Sequence, residues 1–256
     1  MIKTIFFDVD GTLVSHKTNS VPDSTRKTLK LLHENGIKLV LATGRDMRQL
    51  KKLPVKDIKF DGYLTMNGQL CLDENGNELF GNPINEKDTE KMIELINEKT
   101  IPITTIGKNG PYINFINDQV ISAQKAVSSE VAPVKKYHGE KVYQFIAYGK
   151  RDDLKKLVSD LSNCKLSWWN KYAVDIISKD GGKLAGVNKY LALQGQTLAD
   201  AMAFGDGEND FEMLKAVKIG VAMGNGEEQV KQIADYITSD INEDGIYKAC
   251  RHFNLI

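Results

Sequence analysis

Cysteine is scarce in this 256-residue chain, and the three that occur, Cys71, Cys164 and Cys250, are odd in number, far apart and in no CxxC spacing. That excludes a disulfide framework or a thiolate zinc site and leaves buried core thiols. Histidine is nearly as sparse: His16, His33, His138 and His252 share no ligand spacing, and His33 lies near the end of a helical stretch, where the helix dipole accounts for it. A charge excess is missing too, since 34 basic and 34 acidic side chains cancel. With no basic stripe interleaved with aromatics, nucleic acid is not expected as a partner. The first apolar run is broken by Asp8, too early for a signal sequence, and no later run reaches the length of a membrane span. The expectation is a soluble cytoplasmic protein of one or two domains, without a membrane partner; repeats and low-complexity segments are also lacking.

What is there begins with alternation. Residues 5–7 form a short apolar run, 22–35 carry helical spacing through Thr28, Leu29, Leu31 and Leu32, Gly36 supplies a stop, and "IKLVLA" reads as a strand. This β-α-β order favours a parallel, helix-covered sheet with ligands at the carboxyl ends of its strands. Turn signals at Asn67-Gly68 and Asn75-Gly76 follow. The pattern then changes. Residues 82–182 combine helices at 86–99 and 151–161 with strand-like runs at 101–106, 112–115, 143–148 and 173–177, which predicts an inserted α+β domain with an antiparallel sheet. Residues 126–140 read as a loop. From Lys183 the strand-helix alternation resumes, so the core is discontinuous, 1–81 and 183–256.

The chemistry-bearing stretch is "IFFDVDGTLV", a buried strand ending in Asp8 and Asp10. Clustered carboxylates are costly unless compensated, and a divalent cation is the common compensation. A bare DxD is more often a pair of solvated loop acids. The later strand "AMAFGD" alters the balance, because it too ends in an acid, Asp206, followed by Gly207, Glu208, Asn209 and Asp210. Parallel strands would bring Asp8, Asp10 and Asp206 to one rim, a hard oxygen site suited to Mg²⁺. A third strand ends in Thr43-Gly44-Arg45 before another helix, where a hydroxyl and main-chain N–H groups could cradle a phosphate oxygen, although an ordinary helix cap explains the same residues.

"FDVDGTL", "LATGR", a lysine before a helix at Lys183 and "GDGEND" stand in the order and spacing of the haloacid dehalogenase (HAD) superfamily, which the whole chain resembles. "TMNGQ", "GVAMGNG" and an insert of about a hundred residues resemble its Cof-like phosphatase branch. The resemblance implies a Rossmann-like parallel sheet core with helices on both faces and an inserted α+β cap that sets specificity. It makes Asp8 the nucleophile and Asp10 the general acid and base. Thr43, Gly44, Lys183 and Asn209 would hold phosphate; Asp8, Asp206, the main-chain carbonyl of Asp10, and Asp210 through water would serve Mg²⁺. For the lysine the match is looser, because Leu184 stands where the family has glycine, and Lys179 is its rival. Arg45, Asn67 and Gly68 are expected in the substrate region, since they follow core strands whose ends face the site.

The implied activity is Mg²⁺-dependent hydrolysis of small phosphorylated metabolites, sugar phosphates or phosphorylated cofactors, through an aspartyl-phosphate. A phosphomutase with the same nucleophile and a non-enzymatic phospho-receiver are the alternatives. Trp168 and Trp169, the only tryptophans, are adjacent and on a strand would face opposite ways; at least one is expected in the core, the other packing or stacking on substrate. Met66, Met202, Met213 and Met223 are expected to pack.

Overall fold

The structure, a computed structural model, describes residues 1–127 and 129–256; Ser128, in the stretch expected to be a loop, lies outside the described residues. The chain divides into two compact units, Met1–Phe80 with Lys183–Ile256, and Gly81–Gly182.

The first unit contains β1 (Thr4–Phe7), α1 (Asp23–Glu34), β2 (Lys38–Ala42), α2 (Met47–Leu50), β3 (Gly62–Thr65), β4 (Leu70–Asp73) and β5 (Glu78–Gly81, whose last residue passes into the second unit). The second contains α3 (Glu86–Glu98), β6 (Ile103–Gly107), β7 (Gly110–Ile113), α4 (Asp118–Ala126), β8 (Val142–Tyr148), α5 (Arg151–Ser159), β9 (Cys164–Asn170) and β10 (Ala173–Ser178). The first then resumes with α6 (Lys183–Leu193), β11 (Ala201–Gly205), α7 (Phe211–Ala216), β12 (Ile219–Ala222), α8 (Glu228–Lys231), β13 (Tyr236–Ile237) and α9 (Gly245–His252).

Among the described residues, eight strands form the first unit's sheet in the order β13-β12-β11-β1-β2-β3-β4-β5. It is parallel from β13 to β3, and the β3–β4 hairpin extends it antiparallel. β1 is buried on both faces. Ile5 and Phe7 join a cluster with Leu29 and Leu32 of α1 and Ile246 and Cys250 of α9, while Phe6 joins Val187, Tyr190, Met213 and Leu214 of α6 and α7 on the other side. Each such side chain contributes about 1.5–3 kcal/mol on burial, which is why a run this apolar takes the centre of the sheet. α1 ends where expected: Gly36 has φ +77° and donates to the carbonyl of His33.

In the second unit a five-stranded antiparallel sheet, β7-β6-β8-β10-β9, packs Ile103, Phe145, Ala147, Val174 and Ile176 against Met92 and Ile96 of α3 and Leu154 and Val158 of α5. Wholly buried Asp88 ties this unit together, accepting from main-chain N–H of Ser162 (3.0 Å) and Asn163 (2.8 Å) and from Asn85 Nδ2 (3.0 Å). α4 and β9 were not anticipated. α4 opens on Asn117, whose side chain accepts from Val120 N–H, but its apolar face is too weak to stand out; β9 is a half-buried edge strand of mixed composition. Trp168 enters the core cluster and Trp169 does not, its indole N–H donating instead to Asp175 at 2.8 Å. Met66, Met202, Met213 and Met223 are buried, as are Cys71 and Cys250; half-buried Cys164 places its thiol 3.7 Å from Asp88. No helix among the described residues is long and apolar enough to cross a membrane.

Candidate active site

The register of three neighbouring strands builds the site. Phe7 lies opposite Phe204 of β11 on one side and Leu41 of β2 on the other, and the Phe7 and Phe204 rings stack at 5.2 Å. The residues that follow, Asp8, Asp206 and Thr43, therefore leave the sheet at the same rim. Asp8 N–H still bonds the carbonyl of Phe204 at 3.0 Å, so its backbone is held by the sheet.

After Asp8 the chain turns sharply through Gly11. Its φ is +82°, and a Cβ there would stand 2.1 Å from Asp206 Oδ2, so both conformation and space demand glycine. Gly205 has the same relation to Asp210, where a Cβ would meet the carboxylate carbon at 2.4 Å. These two close approaches let the carboxylates converge. Thr12 Oγ1 donates to Asp206 Oδ1 at 3.2 Å, and Asp210 Oδ2 accepts from the N–H groups of Asp206 and Gly207 at 3.0 and 3.1 Å.

Lys183, at the first turn of α6, donates to Asp8 Oδ1 at 2.6 Å and to Asp210 Oδ1 at 2.7 Å. Lys179 lies in the second unit and its N–H pairs with the carbonyl of Asn163, so Lys183 is the lysine that meets the acids. Burial would lower the Lys183 ammonium, but Asp210 and Asp8 outweigh it and hold the group above its ordinary value. Burial is also the largest influence on Asp8 and pushes its carboxyl up to about 7, with Lys183 opposing and Asp210 and Asp10 reinforcing. Asp206 is raised as well, by burial and then by Asp8 and Asp210.

These shifts have one origin. Asp8, Asp206 and Asp210 each offer an oxygen, all within 4.8 Å of one another, against the single ammonium of Lys183. The cluster carries more buried negative charge than its own cation neutralises, and its donors are all hard oxygens. A hard divalent cation fits that set.

Asp10 is differently placed. Its carboxylate is held by Arg45 through two parallel hydrogen bonds, Nε to Oδ2 at 2.6 Å and Nη2 to Oδ1 at 2.8 Å. The structure gives Asp10 a cation at hydrogen-bond distance. Arg45 thus serves the acid directly, a finding that the sequence, which placed it only in the substrate region, did not contain. Thr43 is buried, its Oγ1 accepting from Arg45 N–H at 3.2 Å and its carbonyl accepting from Asn67 N–H at 2.8 Å. Asn67 Oδ1 in turn accepts from Asn209 Nδ2 at 3.2 Å, so the ends of β2, β3 and β11 are linked. Gly68 follows Asn67 in the same left-handed turn.

Asn225 escaped sequence reasoning. Its Nδ2 donates to the Gly11 carbonyl at 2.8 Å while its Oδ1 accepts from Ile241 N–H at 2.9 Å, bracing the turn between Asp10 and Thr12. The available signal was its place in "MGNG" just past a buried strand. A separate cavity of about 290 Å³, lined by Leu41, Met47, Leu50, Val55 and Tyr63 among others, includes none of these groups.

The profile of the haloacid dehalogenase-like hydrolases matches residues 5–250. The chain belongs to this family. Among HAD proteins of known structure it is similar to BT1666 of Bacteroides thetaiotaomicron, a HAD phosphatase, with TM-score 0.89 and 32% identity over 100% of this chain and 96% of that one. It is equally similar to BT4131, described as a HAD subclass IIB sugar phosphatase, with TM-score 0.88 and 32% identity over 99% of this chain and 100% of that one. The 5-amino-6-(5-phospho-D-ribitylamino)uracil phosphatase YcsE of Bacillus subtilis (strain 168) is 29% identical over 99% of this chain and 96% of its own length. The fold is the Cof-like one expected from the motifs, and the chain is a HAD-type phosphatase.

Proposed function

We propose that this HAD phosphatase hydrolyses small phosphorylated metabolites, sugar phosphates or phosphorylated cofactors, with Mg²⁺ and through a phosphorylated Asp8. The observation that carries the reading is the convergence of Asp8, past the end of β1, with Asp206 and Asp210, past the end of β11, with Lys183 bonded to Asp8 and Asp210. The relatives' substrates, a sugar phosphate class and a ribitylamino-uracil phosphate, supply the substrate class.

Asp8, its backbone held at the end of β1 and its Oδ1 held by Lys183, attacks phosphorus; the phosphorus–ester oxygen bond breaks and the alcohol departs with a proton from Asp10. In the second half Asp10 takes a proton from water as its oxygen attacks phosphorus and the Asp8–phosphorus bond breaks. Mg²⁺ held by Asp8, Asp206, the Asp10 carbonyl and, through water, Asp210 would neutralise phosphoryl charge that otherwise repels a carboxylate nucleophile. Lys183 adds a fixed positive charge beside Asp8, and Thr43 offers a hydroxyl, with Gly44 leaving its main chain open to a phosphoryl oxygen. Asn209 steadies the rim through Asn67. Arg45 aims Asp10 and must release one of its oxygens when a proton moves. The unit Gly81–Gly182 supplies groups that discriminate among leaving alcohols.

The test is inorganic phosphate release from a panel of phosphorylated sugars, nucleotides and pyridoxal phosphate, with Mg²⁺ and with chelator. Release that depends on Mg²⁺ and vanishes in D8N is expected. Isomerised product without phosphate release would replace hydrolysis by mutase chemistry, and undiminished turnover in D8N would end the assignment of Asp8.

A further inference from the structure

Asn225 is exposed, yet both ends of its amide are engaged with main-chain groups remote in the chain. Its Nδ2 donates to the Gly11 carbonyl at 2.8 Å, and its Oδ1 accepts from Ile241 N–H at 2.9 Å. A surface side chain gives up rotamer freedom and water contacts to hold such a geometry, so its net effect on stability is modest. What it fixes is the place of Gly11.

Asn225 itself stands on a firm base. It follows β12 between two glycines, each pressed against a different wall: a Cβ on Gly224 would stand 2.5 Å from Asp240 N, and one on Gly226 would stand 3.1 Å from Asp206 Cα. Gly224 N–H bonds the Ser239 carbonyl at 3.1 Å, and Glu227 N–H bonds the Asp206 carbonyl at 2.8 Å. Residues 224–227 therefore hold the main chain of Asp206 directly and that of Gly11 through the Asn225 side chain.

Gly11 needs such a hold more than its neighbours do. Without a Cβ, and at φ +82°, it has the widest choice of backbone angles in its turn, and the peptide before it carries the Asp10 carbonyl assigned above to Mg²⁺. That peptide is tied by Gly11 N–H to the Val14 carbonyl at 2.9 Å, and the peptide after it is tied by Asn225. With both planes fixed, the Asp10 carbonyl keeps one direction, and the turn keeps its close approach to Asp206. Mg²⁺ demands near-ideal octahedral geometry whereas Ca²⁺ accepts a flexible one, so a fixed ligand direction matters more to the smaller ion. We infer that Asn225 is a positioning residue for the metal site: by pinning the Gly11 carbonyl it aims the Asp10 carbonyl and spaces it from Asp206, and so favours Mg²⁺ over Ca²⁺. This rests on the Mg²⁺-dependent phosphatase reading above and deepens it.

The test is calorimetric titration of Mg²⁺ and of Ca²⁺ into metal-free wild type, N225A and N225Q, without substrate. N225A should bind Mg²⁺ about tenfold more weakly and Ca²⁺ less than about threefold more weakly. N225Q, which carries the same amide on a longer stem, should recover part of the Mg²⁺ affinity. Phosphate release by N225A should need about tenfold more Mg²⁺ for its half-maximal rate and come within about threefold of the wild-type kcat when Mg²⁺ saturates. The Tm of metal-free N225A should fall by no more than about 4 °C, as suits the loss of one exposed amide. Unchanged Mg²⁺ affinity in N225A would overturn the inference, as would equal losses for the two ions or a larger fall in Tm, which mark a merely structural role. Wild type that binds neither ion would remove the metal reading and this inference with it. Wild type that binds Mg²⁺ but releases no phosphate from any ester speaks against the phosphatase reading instead, and the titrations still decide on Asn225.

Discussion

Replacing Arg45 by alanine is the most informative single change, because the structure makes its effect depend on the leaving group. Arg45 binds both oxygens of Asp10, at 2.6 and 2.8 Å, and the pair is sheltered, with side-chain exposures of 10% and 29%. A bidentate, largely shielded pair is worth more than the roughly 0–1 kcal/mol of a surface ion pair, about 1.5–3 kcal/mol. Without it the Asp10 carboxylate is free to rotate away from the ester oxygen. Positioned proton donation contributes about 10²–10⁴-fold to such reactions, so losing its aim should cost about 10²-fold in kcat/KM for an alkyl phosphate, near 2.7 kcal/mol of barrier. A p-nitrophenyl ester needs little proton assistance to depart. Its kcat/KM, which covers only the steps up to that departure, should fall less than about threefold in R45A. The second half still needs Asp10 as base, so R45A should show a burst of nitrophenol followed by a slow steady rate. R45K, which restores the charge but not the fork, should recover part of the alkyl activity. The assay is initial-rate kinetics on an alkyl and an aryl phosphate with rapid-quench detection of the burst. A loss of equal size on both esters, with no burst, would refute the role of Arg45 at Asp10 and place it on the phosphoryl group.

Other outcomes follow from the same geometry. G11A puts a Cβ 2.1 Å from Asp206 Oδ2 and a side chain at φ +82°, so turnover should drop at least about 10²-fold, with weakened Mg²⁺ affinity by calorimetry; wild-type metal affinity would contradict the close approach. D10N should keep Mg²⁺ affinity within about twofold while losing alkyl ester turnover, and retained turnover would remove Asp10 from proton transfer. D88A should destabilise the unit Gly81–Gly182 by about 3 kcal/mol at pH 7, since it strands the N–H groups of Ser162 and Asn163. Burial alone would raise the Asp88 carboxyl, but donors from Asn163, Asn85 and Ser162 outweigh it and hold it below its ordinary value. Its stabilisation is therefore complete above the unfolded value of about 3.9 and is lost as pH falls through the lower folded one, so the D88A deficit should shrink below about pH 4. Both tryptophans of the chain, Trp168 and Trp169, lie in that unit, so urea melts followed by tryptophan fluorescence report on it; a pH-independent deficit would contradict the linkage.

Much of the architecture was legible because it rests on local periodicity. β1, α1 and β2 announce themselves by apolar spacing and a glycine stop, and the change of pattern after Gly81 marks an insertion. α4 was missed because only Val120, Ala123 and Gln124 of it are buried, too few to give a helical stripe, and β9 because a half-buried edge strand shows no clean alternation. The acids were legible for a different reason: a carboxylate closing a buried strand is costly enough to stand out twice, at Asp8 and at Asp206.

The partners of those acids were not legible. Lys183 and Asp8 are 175 residues apart, Arg45 and Asp10 are 35 apart, and Asn225 and Gly11 are 214 apart. Which polar groups pair over such separations is decided by strand register and helix placement, quantities that no short window of residues encodes. The family resemblance left both Lys183 and Lys179 in view, and only the folded chain assigns one to each unit. The order of strands and the types of residue at their ends belong to the sequence; the pairing of charges and the exclusion of water from them belong to the packing, because both depend on distances that arise only when remote segments meet.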